Sequence, residues 1–341
     1  MPRTGYMLTI VFAVVMAMSG IASAADVLET IVTKPKLDRS DRAKIETEVA
    51  VRVKKFLDAA DKPRRRRNAR DLLIATSKIS GATSAGLDAY AEACADELTS
   101  PLLHKDLAPA LNAVNILVSL NNQNTAEALA RGLSSEHVAV RYAAAAGIQP
   151  LHKALAKRRK ACRNVLRALG RACATERHEL VLRESYRALN FNADVANFGL
   201  TDEAAGALVR IFSGRLDQLS NGSHDEWKDT EGYVAAADCY AGASPALQKA
   251  LIRQMANFLA LHVDRYLDDN VATAYLPTLR KTVQSLEKSL HAMMRASKVN
   301  PPSKTVAAAI RRKPGSRSAK EARAALAALD ALLRRPPWNL P

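Results

Sequence analysis

The stretch Ser134–Pro150, SSEHVAVRYAAAAGIQP, has the pattern of one short amphipathic helix, and this helix decides the fold that the sequence predicts. Val140, Ala144 and Ile148 follow one another at four-residue spacing and therefore lie on one stripe of a helix. The run Ala143–Ala146 carries only small side chains, which let two helix backbones approach closely. Since a helix stacked between two others needs such close approach on both sides, the stretch predicts stacked helices.

The pattern V-R-x-x-A-A-x-x-I over residues 140–148 resembles the second helix of a HEAT-type repeat. The resemblance implies that the valine and alanines pack inward and that Arg141 ties neighbouring repeats together. The preceding run NTAEALARGL, Asn124–Leu133, supplies a first helix with a capping asparagine. A partial echo, VLRESYRAL at Val181–Leu189, begins about 40 residues after Val140, a spacing that HEAT arrays use. The alternative is an ordinary helical hairpin in a non-repetitive α protein.

The composition of the chain favours the all-α class. Aromatic residues make up 5% of it, alanine and leucine dominate, and β-branched runs with period-two alternation are absent from the sequence. Few aromatic side chains with abundant alanine are typical of thin helical layers rather than of a deep globular core. The predicted fold is therefore all-α, with antiparallel helical hairpins stacked as a HEAT-like (armadillo-type) α-α superhelix after an N-terminal signal peptide.

The N-terminal segment has the pattern of an export signal. Arg3 precedes an uncharged, apolar run over Met7–Ala25, and Ala22–Ala24 has the small-x-small form of a cleavage site. A retained membrane anchor is the alternative, because the run approaches the length that spans a bilayer, but small and polar residues interrupt it. We therefore predict that residues 1–24 are removed, that the protein is periplasmic or secreted, and that no transmembrane span remains after cleavage.

Proline, glycine and asparagine divide the rest of the sequence. Residues 25–297 carry helical periodicity and predict the repeat domain, in which Lys62–Arg67 is expected to form a basic turn and Ala156–Cys173 a single basic helix. Residues 298–318 are basic and contain Pro and Ser, which predicts a linker with a helical turn or two around Val306–Arg311. Residues 319–341 place leucines in helical register and predict a C-terminal amphipathic helix and tail.

The chain is strongly basic, with a formal net charge of +16, and many of its cations fall in three runs. Clustered Lys and Arg attract polyanions because binding releases condensed counterions, whatever the polymer. The alternative is that the runs are solvated helix faces that raise solubility. Export argues against genomic DNA, so the candidate anionic partners are lipid surfaces, envelope polymers, polysaccharides and extracellular nucleic acid. The candidate anion-binding residues are Arg64, Arg65, Arg66, Arg67, Lys157, Arg158, Arg159, Lys160, Arg311, Arg312 and Lys313.

Signals for catalysis or metal binding are weak. His224-Asp225-Glu226 has the residue types of a metal or acid–base cluster but no identifiable partners. The sequence has no nucleophile elbow, phosphate loop or dinucleotide fingerprint, and no cofactor is predicted. The cysteines lack zinc-like spacing, and we interpret them as buried apolar thiols, with disulfide pairing left open by export. They are Cys94, Cys162, Cys173 and Cys239.

These features predict an exported, non-enzymatic scaffold or protein-interaction module that binds a protein partner. The alternative is a binder of anionic polymer or of a membrane surface through the Lys/Arg runs. A third hypothesis is an enzyme on a helical-repeat scaffold, as in some DNA-repair glycosylases. The export signal and the lack of a placed catalytic carboxylate in an aromatic cleft count against it. The residues predicted to pack the repeats are Val140, Arg141, Ala144 and Ile148.

Overall fold

A computed structural model describes residues 27–59, 62–190, 199–222, 226–268, 273–311 and 315–340. The protein is 79% helix, and its described residues form helices and no β-strand. The all-α prediction is therefore confirmed. The predicted signal peptide and its cleavage site lie outside the described residues.

Contacts within the chain divide it into two compact units, Met1–Val140 and Arg141–Pro341, whereas the sequence predicts one repeat domain over 25–297. The boundary falls inside the helix Val138–Ile148. Short 3₁₀ turns occur between some of the α-helices. The α-helices are α1 (Arg39–Asp58), α2 (Pro63–Thr76), α3 (Ser84–Thr99), α4 (Leu107–Leu120), α5 (Ala126–Gly132), α6 (Val138–Ile148), α7 (His152–Ala156), α8 (Arg159–Cys173), α9 (Glu179–Leu189), α10 (Thr201–Ser220), α11 (Thr230–Tyr240), α12 (Pro245–Leu267), α13 (Leu276–Ala296), α14 (Val306–Ala309) and α15 (Ser316–Leu333).

Most of these helices begin and end within a few residues of the predicted positions, but two boundaries differ. The sequence predicts a basic turn at Lys62–Arg67, yet these residues begin α2, because proline suits the first helical position and arginine is a good helix former. The single basic helix predicted over Ala156–Cys173 is divided into α7 and α8, with Lys157 and Arg158 between them. Both differences place basic residues at the start of a helix.

In the first unit, helices contact partners two positions along the chain as well as adjacent ones. α1 packs against α2 and α3, and α3 packs in turn against α4 and α5. A buried bond from Arg52 Nη1 to Thr76 Oγ1, 2.9 Å long, joins α1 to α2. Gly86 at the start of α3 lies against Val32, where an added Cβ would come within 2.1 Å of the carbonyl oxygen. Only glycine therefore fits at this contact.

The second unit contains two rows of helices. α8, α10 and α12 contact one another in order and form one row, while α9, α11 and α13 form the other. Each of these helices also packs against the next one along the chain, which belongs to the other row. Gly170 on α8 lies so close to Ala207 on α10 that an added Cβ would come within 2.9 Å of the Ala207 Cα. Small residues thus bring neighbouring helices of a row together.

The C-terminal segment packs onto the second unit. Glu287 on α13 accepts hydrogen bonds from the N–H groups of Val306 and Ala307 at 2.8 and 2.9 Å, which hold the first turn of α14. α15 packs on α12 and α14. Beyond α15, Trp338 donates from its indole Nε1 to Tyr240 Oη at 2.7 Å. The predicted linker therefore contains the expected helical turn, and that turn is part of the packed unit.

Candidate binding surface

The residues predicted to pack the repeats lie on α6. Val140, Ala144 and Ile148 are fully buried. The side chain of Arg141 is 19% exposed, and its Nε lies 2.6 Å from Oε2 of Glu176, in the connection between α8 and α9. α6 therefore has a buried apolar stripe and an arginine that bonds 35 residues further along the chain.

Glu176, the partner of Arg141, accepts several hydrogen bonds. Its Oε1 accepts from the N–H groups of Arg177 and His178, each at 2.9 Å, and from Arg141 Nη2 at 3.3 Å. Burial acts to raise the pKa of this carboxyl, but the hydrogen bonds from Arg141 and from the His178 N–H outweigh burial and lower the pKa below its usual value. Glu176 is therefore held ionised, which strengthens its bond to Arg141.

The first basic run, Arg64–Arg67, occupies the beginning of α2. The N-cap residue Lys62 makes no side-chain hydrogen bond to the helix, and the first turn contains no acidic residue. Within the described part of the chain, none of the four guanidinium groups makes a hydrogen bond or an ion pair. Because the free N–H groups and the dipole already make a helix N-terminus positive, uncompensated positive charge is concentrated here.

The second basic run, Lys157–Lys160, lies between α7 and the first turn of α8. Arg159 Nη2 donates to the carbonyl of Gly199 at 3.3 Å, which brings the run close to the start of α10. Arg163 and Arg167 follow Arg159 at four-residue spacing, so the three arginines share one face of α8. Arg163 and Arg167 are not among the candidate residues predicted from the sequence, although this four-residue spacing is a signal that points to them.

A groove of about 800 Å³ opens beside this row of arginines, between α8 and α10. Arg167 lines it from α8 and Arg210 from α10, with Gly170 where the two helices touch. Gly206 also lines it, at a position where an added Cβ would meet nothing within 4 Å. The connection between α11 and α12, Gly242–Ser244, contributes a further part of the wall. Gly206 therefore leaves helix backbone uncovered in this groove.

The charged groups of the groove differ in whether they have partners. Glu203 accepts from Arg163 Nε at 2.7 Å, and Asp202 Oδ1 accepts from the backbone N–H at the N-cap of α12 at 2.6 Å. Arg167 and Arg210 are exposed and make no hydrogen bond or ion pair within the described part of the chain. The carboxylates are thus engaged, while two guanidinium groups are available to a ligand.

The remaining sequence-predicted site residues are only partly described. Arg311 lies at the surface after α14, while Arg312 and Lys313 fall outside the described residues. His224 and Asp225 also fall outside them, as does the side chain of Glu226. The described basic runs lie on separate elements, at the start of α2, at the start of α8 and after α14.

A buried polar cluster in the second unit was not predicted from the sequence. Arg215 on α10 and Asp229 are fully buried, and Arg215 donates from Nε to Oδ1 at 3.0 Å and to Oδ2 at 3.2 Å, and from Nη2 to Oδ2 at 3.1 Å. Tyr186 on α9 donates to Asp229 Oδ1 at 2.6 Å, and Arg215 Nη1 donates to Gln218 Oε1 at 2.6 Å. Burial, and then the charge of Asp229, raises the pKa of Tyr186 well above its usual value. The cluster is closed to solvent and cross-links the helices.

The other groups with catalytic potential are buried too. All four cysteines are buried with free thiols, as interpreted from the sequence, and burial raises the pKa of each thiol to about 12. Thiolate, the nucleophilic form, is therefore scarcely populated at neutral pH. His262 is fully buried, and burial lowers its pKa to about 3, so its ring is neutral. Its Nε2 lies 3.2 Å from Tyr233 Oη.

Metal-ligand geometry, helix hydrophobicity and similarity to known proteins do not identify a further site in the described residues. Across the described ranges, no three His, Cys, Asp or Glu side chains are placed to hold a metal ion. None of the helices in the part of the chain that the structure describes is long and apolar enough to cross a membrane. Comparisons with known protein families, with characterised proteins and with solved structures found no match to this chain. Nothing positive therefore indicates an enzymatic activity.

Proposed function

We propose that the protein is an exported, non-enzymatic scaffold that is built from HEAT-like helical hairpins and binds a protein partner. The observation that carries this proposal is that hydrogen-bonded residues on different elements are separated by a similar number of residues along the sequence. In the second unit, hydrogen bonds recur at separations of 35, 40, 44, 44, 46 and 48 residues. The bonded pairs are Arg141–Glu176, Arg163–Glu203, Arg187–Glu231, Gln218–Ala174, Arg265–Leu219 and Asn190–Asp238.

A recurring separation near 40 residues supports stacked two-helix repeats. In such an array each hairpin contacts only the hairpins before and after it, so bonds between hairpins fall about one repeat apart. The two rows α8–α10–α12 and α9–α11–α13 fit this pattern, since each helix contacts the equivalent helix of the next hairpin. Stacked repeats present long continuous surfaces, which suit contact with another protein better than enclosure of a small substrate.

A quantitative pull-down from the cell-envelope fraction tests the proposed scaffold function. The purified protein, carrying a C-terminal tag, is immobilised, and captured proteins are quantified against a tag-only surface and against the same bait after heat denaturation. We expect one or a few proteins to be enriched by the folded bait alone and to be released by free, untagged protein. If no protein is enriched over both controls, the scaffold proposal is contradicted.

The uncapped basic turn at the start of α2 favours a second candidate function, binding of an anionic polymer. Salt-gradient elution from heparin tests it with a variant in which Arg64–Arg67 are replaced by Gln. The matched control replaces four exposed lysines of the same unit by Gln. We expect the first variant to elute at much lower salt than the control, because clustered charges release counterions together. Equal elution of the two variants contradicts this function. The control positions are Lys36, Lys44, Lys55 and Lys78.

A further inference from the structure

We infer that the groove between α8 and α10 is a docking site for an extended, carboxylate-bearing peptide segment of another protein. The groove is polar and open, and it is lined from α8 and α10 by two arginines, Arg167 and Arg210, that have no hydrogen-bond or ion-pair partner within the described part of the chain. The inference rests on the proposed function, because it names the kind of protein segment that the scaffold binds.

The two guanidinium groups determine the charge of the ligand. Arg167 and Arg210 are exposed, and each lacks a hydrogen-bonding partner within the described part of the chain. Arg163, one turn before Arg167, is by contrast already paired with Glu203 at 2.7 Å. A planar guanidinium group binds a carboxylate with two parallel hydrogen bonds, which gives both strength and orientation. A ligand that presents one carboxylate to Arg167 and another to Arg210 therefore complements the charge of the groove.

The other lining groups favour a peptide over a uniformly charged polymer. Asp202 and Glu203 put carboxylates into the wall, and these repel a chain that carries a negative charge on every unit. A peptide places its acidic side chains at intervals and has amide groups between them, so it can pass the two acids. Gly206 adds space, since nothing lies within 4 Å of the position of its missing Cβ. A peptide backbone can therefore approach α10 closely there.

Fluorescence anisotropy with a peptide of alternating Glu and Ser tests the inference. The peptide is about eight residues long, since an extended chain rises about 3.3 Å per residue and the 15 residues of α8 span about 22 Å. We expect saturable binding to the purified protein. The double variant Arg167→Gln/Arg210→Gln is expected to bind about tenfold more weakly, because two charge-assisted interactions are lost.

The matched control is the double variant Arg39→Gln/Arg131→Gln, which removes the same charge from two exposed arginines of the other unit that have no side-chain hydrogen bond or ion pair within the described part of the chain. It is expected to bind the peptide as the unmodified protein does. Equal weakening in both double variants would show attraction by net charge alone and overturn the inference, and so would unchanged binding in the groove variant. The helical circular dichroism and the thermal midpoint of all variants are compared, so that a folding defect is recognised.

A second substitution tests the groove without removing an arginine. Gly206→Glu places a carboxylate in the groove, where it competes with the peptide for Arg210, whereas Gly206→Ala adds only a methyl group in open space. We expect the Glu variant to lose peptide binding and the Ala variant to keep it. If the Glu variant binds the peptide as well as the Ala variant does, the peptide lies elsewhere and the inference is wrong.

Two further measurements distinguish the inferred peptide site from a polyanion site and from the proposed scaffold function as a whole. A fluorescein-labelled heparin oligosaccharide is expected to bind the groove variant and the unmodified protein equally. A loss there as large as the peptide's would identify a polyanion site and overturn the peptide inference. If the envelope pull-down captures the same partners equally with the unmodified protein and with Arg167→Gln/Arg210→Gln, the inference that the groove is the docking site is contradicted, but the proposed scaffold function is not. An empty pull-down contradicts the proposed scaffold function instead.

Discussion

Arg141 and Arg215 each bond an α-helix of the second unit to a carboxylate in a connection between α-helices, but their surroundings differ. The side chain of Arg141 is 19% exposed, and its partner Glu176 keeps two backbone N–H bonds of its own. The side chains of Arg215 and Asp229 are both fully buried and bond each other directly. The Arg141–Glu176 pair is therefore partly buried, whereas the Arg215–Asp229 pair lies wholly in the core.

This difference in burial determines how strongly each arginine contributes to stability. Where water reaches a pair, solvent and remaining hydrogen bonds compensate for the loss of one partner. Where a pair is fully buried, removing one partner leaves the other charge without compensation in a medium of low dielectric constant. The fully buried pair is therefore the more sensitive of the two, although the partly buried one lies in the stretch that the sequence singles out.

The largest effect is expected for Arg215→Met. This change leaves the Asp229 carboxylate buried without its guanidinium partner, although Tyr186 still donates to it, and we expect a loss of about 3–5 kcal/mol in the free energy of unfolding. Urea denaturation followed by circular dichroism measures it. The double variant Arg215→Met/Asp229→Leu removes both charges and is expected to regain part of the loss. A single variant within about 1 kcal/mol of the unmodified protein would contradict the role given to the pair.

The next effect is expected for Ala144→Leu on α6. Ala144 is fully buried, and overpacking a close helix contact costs about 1–3 kcal/mol. In a linear array the damage stays near its origin, so hydrogen exchange is expected to lose protection in α9 and to change little in α12. Ala139→Leu, at an exposed position of the same helix, is the control. Uniform loss of protection across the second unit would indicate one cooperative globule rather than repeats.

His262 gives the buried core a dependence of stability on pH between about pH 7 and about pH 5. Burial, and then the charge of Arg265, lowers its pKa from 6.5 to about 3. Below about pH 6.5 the unfolded chain therefore binds a proton that the folded protein does not, and stability falls as the pH falls. Between about pH 7 and about pH 5 we expect His262 to account for a loss of about 2 kcal/mol.

The variant His262→Gln tests this contribution, because an amide keeps a hydrogen-bonding partner for Tyr233 without titrating. Urea unfolding at both pH values measures the change. The loss between them is expected to be smaller in the variant by about 2 kcal/mol. Burial also lowers the pKa of His291, so some dependence on pH is expected to remain. An identical loss in the variant and in the unmodified protein would contradict this contribution.

The smallest effect is expected for Arg141→Ala. Glu176 keeps its bonds from the N–H groups of Arg177 and His178, so we expect a loss of only about 1 kcal/mol in the free energy of unfolding. Titration of Glu176 by NMR is expected to show a higher pKa in the variant, because the lost guanidinium lowers it in the unmodified protein. A loss as large as that of Arg215→Met would mean that exposure does not separate the two pairs.

The helices and their buried faces could be predicted from periodicity alone. The stripe Val140, Ala144 and Ile148 is buried as predicted, because four-residue spacing in a helix specifies one face. Helix starts were harder, since the Lys62–Arg67 run has the charges of a turn but the helix propensity of arginine. The helical packing around Val306 also depends on Glu287, a residue whose position in space the sequence does not reveal.

The candidate groove could be predicted only in part. Arg159, Arg163 and Arg167 are visible as a four-residue series on one helix, but Arg210 joins them only after α8 and α10 pack together. The buried partner of Arg215 was hidden for a similar reason. Asp229 lies 14 residues further on, after α10 has ended, and nothing in its local sequence distinguishes it from a solvated loop residue.

The buried position of Trp338 makes its fluorescence sensitive to whether the segment after α15 is packed. Its indole is 2% exposed and bonded to Tyr240, which in turn lies 2.7 Å from Ser297 Oγ. A buried indole emits at shorter wavelength than one in water, so proteolytic clipping or strain that detaches the last residues shifts the emission to the red. The chain has two tryptophans, and replacing Trp227 by Phe leaves Trp338 as the sole reporter. The protein thus carries an intrinsic fluorophore that reports, without labelling, whether the segment after α15 is docked.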